Sequence, residues 1–100
     1  MVTKGLLVRL EAKPEKDDEV ERFLESAIEP VMAETGTTAW FALKMGHHEY
    51  GIFDASPDEA GRQAHLSGQV AAALMARAPE LLMSPPKIEQ VDVLASKLPA

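Results

Sequence analysis

The residues best suited to chemistry lie in the second half of the chain. The stretch GRQAHLSGQV, residues 61–70, places His65 three residues after Arg62. A histidine has an unperturbed pKa of about 6.5, which suits the removal of a proton from a bound molecule at neutral pH. Arg62 can anchor an anionic substrate, or it can pair with Asp58 and Glu59 at helical spacing. We therefore take His65 as the candidate catalytic base and Arg62 as a candidate substrate contact.

The direction of His65 depends on the helix that carries it. If residues 57–77 form one straight helix, its buried stripe is the set Ala60, Ala64, Ala71, Leu74, Met75 and Ala78. His65 then lies about 100° from Ala64, and a structural role at the helix edge is the alternative to catalysis. Only a break at Ser67-Gly68 frees the first segment from that phase.

Three aromatic residues of the central segments are candidates for substrate binding. Trp40 and Tyr50 lie on two successive predicted strands, and Phe53 lies on the second. An aromatic wall with a phenolic hydroxyl suits an aromatic ligand. The same residues can instead pack in the core or in a subunit interface.

Metal chemistry and thiol chemistry are not expected. The pair His47-His48 precedes Glu49, but neighbouring residues of an extended chain point to opposite faces, so we expect no metal site. The chain has no cysteine, which excludes disulfides, thiolate catalysis and zinc–thiolate sites.

The composition predicts one soluble domain covering residues 1–100. The net charge of −6 and the scattered basic residues argue against nucleic-acid binding. No apolar run approaches the roughly 20 residues of a membrane span. The N-terminus resembles no signal peptide, so we expect a cytoplasmic protein without a membrane partner.

Hydrophobic periodicity predicts the order βαββαβ. The first helix is loosened near Pro30. Ser56 is expected to cap the second helix, with Pro57 and Glu59 completing the capping signal. A last short turn is expected from Pro79. The predicted elements are a strand at 5–12, a helix through 20–32, strands at 37–45 and 49–55, a helix at 57–77 and a strand at 87–96.

This order is that of a ferredoxin-like α+β fold, with an antiparallel sheet and two helices on one face. Large apolar residues also lie on the other face of the sheet. An open face of that kind usually meets a partner, so we expect a homodimer through the open sheet face.

The order of elements and the stretch YGIFDASPDEAGRQAHLSG resemble the antibiotic biosynthesis monooxygenase domain of the dimeric α+β-barrel superfamily. The resemblance covers residues 4–96, and Ala64-His65 matches a pair common in the family. It implies a dimer, a pocket between sheet and helices, and a cofactor-independent monooxygenase acting on a small aromatic or quinol-like compound. His65 would then polarise or deprotonate the substrate.

The sequence departs from the best-characterised members in one respect. Polyketide oxygenases and haem degraders of the family rely on an asparagine, and this chain has none. Its single tryptophan, Trp40, lies on the second strand, whereas the haem degraders carry one on the third. Haem binding, with His65 as a ligand, is the weaker alternative. A non-catalytic small-molecule-binding or structural protein of the same fold is the other.

Overall fold

The computed structural model describes residues 1–99, which form a four-stranded sheet covered by helices. The elements in chain order are β1 Lys4–Glu11, α1 Asp17–Ser26, α2 Ile28–Met32, β2 Ala39–Gly46, β3 Glu49–Ser56, α3 Glu59–Leu66, α4 Gln69–Leu81 and β4 Lys87–Asp92.

The sheet has the strand order β2-β3-β1-β4, and every neighbouring pair is antiparallel. Leu6 pairs with Asp54, which also pairs with Trp40 on β2. Consecutive residues of a strand point to opposite faces, so Trp40 and Asp54 share a face with Leu6. The predicted ferredoxin-like α+β fold is confirmed.

One face of the sheet carries the core. Alternate residues of the two central strands point to this face, and their side chains meet the apolar sides of α1 and α4. Burial of this apolar surface is the main source of folding free energy. The largest core cluster combines strand residues Val8, Leu10, Tyr50 and Ile52 with helix residues Val20, Leu24, Leu74, Ala78 and Leu81.

Both predicted helices are broken in two. The first ends at Ser26, and α2 resumes at Ile28 and carries Pro30. The second ends at Leu66 and resumes at Gln69, so the break lies at Ser67-Gly68. Because of this break, the stripe expected of a straight helix does not form on α3: Ala60 and Ala64 are exposed, and the buried side carries Gly61, Arg62 and His65.

Three local predictions need correction. Asp58, not Ser56, caps α3, because its carboxylate accepts a 2.9 Å hydrogen bond from Gly61 N. Ser56 is instead the last residue of β3. Pro79 starts no new turn but lies inside α4, in its last turn, where it supplies no N–H for a helical hydrogen bond. The last strand ends at Asp92, not at residue 96.

The end of α4 is tied to β1. Lys13 N donates to Leu81 O, Met83 N donates to Glu11 O, and Lys13 Nζ donates to Pro79 O at 2.6 Å. Among the described residues, the start of α4 has no comparable hydrogen bonds to the sheet: Gly68 occupies its N-cap without a side-chain hydrogen bond, and Val70 holds this end by apolar packing against Ala27 and Val31.

The second face of the sheet is uncovered and partly apolar. Phe41, Leu43 and Met45 of β2 are 49 %, 38 % and 44 % exposed. Phe53 pairs with Phe41 across the strands and extends this surface. We call this surface the open face. Separately, no helix within residues 1–99 is long and apolar enough to cross a membrane.

Candidate functional site

His65 lies buried between two carboxylates. Its Nδ1 is 2.5 Å from Glu34 Oε1, and its Nε2 is 3.2 Å from Asp54 Oδ2. The first contact is a hydrogen bond. The second is within ion-pair distance, but its alignment leaves Asp54 Oδ2 without a hydrogen bond. We call Glu34, Asp54 and His65 the acid–histidine group.

The two carboxylates hold a proton on His65. Burial of the imidazole lowers its pKa, but the close contacts with Asp54 and Glu34 and the negative charges of these carboxylates outweigh burial and raise the pKa to about 9. His65 is therefore an imidazolium at neutral pH, and both ring nitrogens carry hydrogen. It can donate hydrogen bonds and stabilise negative charge, whereas a neutral imidazole would act as a base.

Local backbone features bring these three residues together. Asp54 comes from the centre of the covered sheet face, and His65 from the last turn of α3. Glu34 follows α2, where the chain passes close to α3. That approach needs two facing glycines, because a Cβ on Gly61 would lie 2.6 Å from Gly36 O. Thr37 Oγ1 also donates to Glu34 Oε1 at 2.9 Å and fixes that carboxylate.

Several buried polar atoms around this group lack partners. Among the described residues these atoms are Glu34 Oε2, Trp40 Nε1, Asp54 Oδ2 and Ser56 Oγ. Asp54 and Ser56 are each 1 % exposed. Buried polar groups in native proteins are almost always hydrogen-bonded, to protein, water or ligand. Their concentration on one part of the covered sheet face therefore marks a site with unused hydrogen-bonding capacity.

Tyr50 lies on the same sheet face, two strand positions beyond Ile52 and four from Asp54. Its hydroxyl contacts Glu21 Oε2 at 2.6 Å and Asp17 Oδ2 at 3.0 Å. Burial and the two carboxylates raise its pKa well above the ordinary value. Tyr50 is therefore a neutral hydrogen-bonding group at physiological pH.

A cleft of about 170 Å³ opens beside Tyr50, between α1 and β2. Ala42 of β2 forms part of its floor. The positions of Trp40, Ala42 and Lys44 alternate along the covered side of β2, so the cleft begins one such position beyond Trp40. The lining residues are Glu21, Leu24, Glu25, Ala42, Leu43, Lys44 and Tyr50.

Arg62 does not lie free beside His65. Its Nε donates to Glu59 Oε2 at 3.0 Å, and its Nη2 also contacts Glu59. Its Nη1 donates to Val91 O at 3.0 Å and to Gly5 O at 3.3 Å. The pairing with Glu59 thus forms within α3, and the hydrogen bonds of Nη1 hold α3 against β1 and β4.

The structure separates Phe53 from the other aromatic candidates. Phe53 follows Ile52 and precedes Asp54, so its side chain points to the open face. Trp40 and Tyr50 lie on the covered face, where Trp40 packs against both core clusters. Phe53 and His65 therefore occupy opposite sides of the sheet.

Sequence reasoning missed Glu34 and the unpaired Ser56. Glu34 is one of sixteen acidic residues, and 31 positions separate it from His65, so spacing gave no signal. The nearby Gly36 was a usable signal, because a glycine beyond a helix end can mark a close approach of two chain segments. Within residues 1–99, no three histidine or acidic side chains are arranged to hold a metal ion.

Solved structures with the same fold were found by comparison. A protein of unknown function from Nitrosomonas europaea is 61 % identical, with all of this chain and 97 % of that chain covered, at a TM-score of 0.98. A candidate antibiotic biosynthesis monooxygenase from Caulobacter crescentus is 18 % identical, with 94 % and 92 % covered, at a TM-score of 0.80. Another candidate antibiotic biosynthesis monooxygenase, from Nitrosomonas europaea, is 14 % identical, with 92 % of this chain and 90 % of that chain covered, at a TM-score of 0.81.

No protein-family model and no curated protein matches the chain. The distant structures share the fold, and the 61 % identity over the full length shows common family membership. The chain thus belongs to the family of the Nitrosomonas europaea protein of unknown function and has the fold of the antibiotic biosynthesis monooxygenases.

Proposed function

We propose that the protein is a cofactor-independent monooxygenase that acts on a small aromatic or quinol-like compound. The acid–histidine group is the observation that carries this proposal. It is a buried, charged group with unpaired oxygens, on the sheet face that also carries Trp40 and the cleft. Buried groups with strongly perturbed pKa values concentrate at functional sites.

The dimensions of the cleft favour a ligand with one ring. Its volume is about 170 Å³, and an apolar cavity of about 150 Å³ accommodates benzene. Tyr50 supplies a polar hydroxyl to the lining of the cleft, and Trp40 lies next to the cleft, one position along the covered side of β2 from Ala42. Arg62 and Phe53 do not contact the ring. The guanidinium of Arg62 is hydrogen-bonded within the chain, and Phe53 points to the open face.

The reaction needs an ionised substrate. A phenolate or the related carbanion can give electrons to O₂ without a bound cofactor. In the oxygenation of an activated CH₂ group, one oxygen atom becomes the new carbonyl, and the other leaves as water with the two hydrogens of the CH₂. The substrate supplies all the electrons. The part of His65 is to stabilise the substrate anion by its positive charge.

Oxygen uptake tests the proposal. The purified protein should consume O₂ with hydroquinone or an anthrone-type substrate, and His65→Ala should lower the rate at least about tenfold. His47→Ala, which changes an exposed histidine of the β2–β3 turn, should leave the rate unchanged. Circular dichroism must show that both variants fold. A broad substrate panel without uptake by the wild type would exclude the proposal.

A second candidate is a non-catalytic small-molecule-binding or structural protein. The closed contacts around His65 favour it, since both ring nitrogens face carboxylates and the Arg62 donors are used within the chain. Ligand binding without oxygen uptake would select this function. The same contacts leave no ring nitrogen free for iron, so hemin titration should give no absorbance band that depends on His65.

We also propose that two chains associate through the open face. The exposed side chains of Phe41, Leu43 and Met45 lie side by side with Phe53 on one flat surface. Monomeric proteins rarely expose contiguous apolar patches of this kind. A face-to-face dimer would bury them and close two sheets into a barrel.

A further inference from the structure

Two unpaired atoms of the site lie on neighbouring strands and have opposite hydrogen-bonding character. Trp40 pairs with Asp54 across β2 and β3, and both side chains are on the covered face. Trp40 Nε1 carries a hydrogen without an acceptor, and Asp54 Oδ2 makes no well-aligned hydrogen bond, although the His65 imidazolium is 3.2 Å away. A buried group left unpaired costs about 1–3 kcal/mol, and a charged group costs more.

One hydroxyl group can satisfy both atoms. Its oxygen accepts from the indole N–H, and its hydrogen is donated to the carboxylate. We propose that Trp40 and Asp54 bind the hydroxyl group of a single-ring phenol or hydroquinone, and that Asp54 accepts the proton of this hydroxyl group. The binding role stands on the geometry alone, whereas the catalytic role rests on the proposed function.

The cleft begins next to this pair but does not include it, since neither Trp40 nor Asp54 is among its lining residues. Trp40 and Ala42 are consecutive residues on the covered side of β2, which separates their Cα atoms by about 7 Å. A ring at Ala42 therefore has to extend along β2 into the enclosed part of the site to bring its hydroxyl to Trp40 and Asp54. Two other unpaired atoms, Ser56 Oγ and Glu34 Oε2, are not used by this hydroxyl group and remain available to bound water.

The proton-transfer step conserves charge and atoms. The hydroxyl O–H bond breaks, the proton moves to Asp54 Oδ2, and the electron pair stays on the phenolate oxygen. Trp40 Nε1–H then donates to the phenolate oxygen, and the positive charge of the neighbouring imidazolium stabilises it. Glu34 does not contact the ligand in this arrangement. It is a positioning residue that holds His65 through Nδ1, so that Nε2 faces Asp54.

Ligand binding without turnover tests the inference. Trp40 is the only tryptophan, so its fluorescence reports directly on the site. Under anaerobic conditions, hydroquinone should bind about tenfold to a hundredfold more tightly than 1,4-dimethoxybenzene, which cannot donate a hydrogen bond; that range corresponds to one charge-assisted hydrogen bond. Asp54→Asn should reduce this preference to less than about threefold.

Two further variants make the result specific. Asp18→Asn, an exposed aspartate on α1, should keep the preference of the wild type. Trp40→Phe keeps an aromatic ring but loses the N–H, and calorimetry should show hydroquinone binding weakened about threefold to tenfold. Equal affinities of the wild type for the two ligands would overturn the inference and indicate that the pair holds only water. A preference that survives both Asp54→Asn and Trp40→Phe would also overturn it.

Oxygen uptake separates this inference from the proposed function. With an active wild type, Asp54→Asn should lower kcat at least about a hundredfold, as expected for loss of a general base, and Glu34→Gln should be less affected and shift the pH profile. Full activity in Asp54→Asn would overturn the inference and leave the function standing. An Asp54-dependent hydroquinone preference without any oxygen uptake would establish the binding site and remove the monooxygenase proposal.

Discussion

At the scale of the residue, His65 is a buried cation held between Glu34 and Asp54. The sequence identified it as the chain's most suitable base, using the pKa of an isolated histidine. The fold adds Glu34 and Asp54, and with a pKa of about 9 His65 is a cation at neutral pH. Its partners come from β3 and from the segment after α2, whereas His65 lies on α3, so no local pattern could have predicted this change of role.

The acid–histidine group should make stability depend on pH. His65 has a pKa of about 9 in the folded protein and about 6.5 when unfolded. Its stabilising effect is therefore complete below pH of about 6.5 and is lost as the pH rises toward about 9. The shift corresponds to roughly 3 kcal/mol. Urea unfolding at pH 6 and pH 9.5 should show a decrease of this order in the free energy of unfolding.

Two histidine variants define the control for this measurement. His65→Gln should remove most of the pH dependence between these values, whereas His47→Gln, in the exposed turn, should retain it. Equal stability of the wild-type protein at both pH values would mean that the carboxylates do not hold a proton on His65.

At the scale of the elements, the helix break decides which side chains are buried. The sequence placed a break at Ser67-Gly68 as one of two options, and the structure has it. The buried side of α3 still could not be predicted, because its alanines formed the more convincing apolar stripe. Gly61 and the aliphatic part of Arg62 pack there instead, and the close approach of Gly36 is a tertiary contact.

The glycine contact gives a prediction about stability. Gly61→Ala should lower the free energy of unfolding by about 1–3 kcal/mol, the cost typical of overpacking. This loss should occur although alanine is the better helix former by about 1 kcal/mol. The added Cβ would lie 2.6 Å from Gly36 O and 3.0 Å from Ser56 Cβ. Chemical denaturation measures the change.

Gly46→Ala is the matched control, since a Cβ there would meet its nearest neighbour, Glu49 Oε2, at 3.5 Å. Its stability should stay close to that of the wild type. If Gly61→Ala were as stable as Gly46→Ala, the close packing of α3 on the Gly36 segment would be refuted.

At the scale of the whole molecule, the two faces of the sheet have different tasks. The covered face holds the core and the acid–histidine group, and the open face exposes apolar side chains. The alternation along the strands predicted both faces from the sequence, because the period of two is a backbone property. The same alternation could not predict that Phe53 and His65 lie on opposite sides of the sheet, because that depends on the strand register and on the position of α3.

The open face predicts a dimer with a defined interface. At micromolar concentration, the native mass should be twice the 10.9 kDa of one chain. Met45→Lys should shift the protein to monomer, because the charge would be buried in the interface without a partner. Analytical ultracentrifugation distinguishes the two states.

Met75→Lys provides the comparison for this variant. Met75 is 51 % exposed, close to the 44 % of Met45, but it lies on α4 at the other side of the molecule. The Met75→Lys variant should remain dimeric. A wild-type mass of one chain would contradict the dimer, and dissociation of both variants would contradict the assigned interface.

The unequal attachment of α4 has a consequence for motion. Its C-terminal end is fixed to β1 by three hydrogen bonds, whereas its first residue follows an uncapped glycine beside Glu34 Oε2. Segments with few anchoring contacts open at the lowest free energy. We therefore expect local opening of the helical layer mainly at the end that contains the acid–histidine group. A site closed in its resting state would then admit solutes from that end, with the Pro79 end of α4 as the stationary pivot.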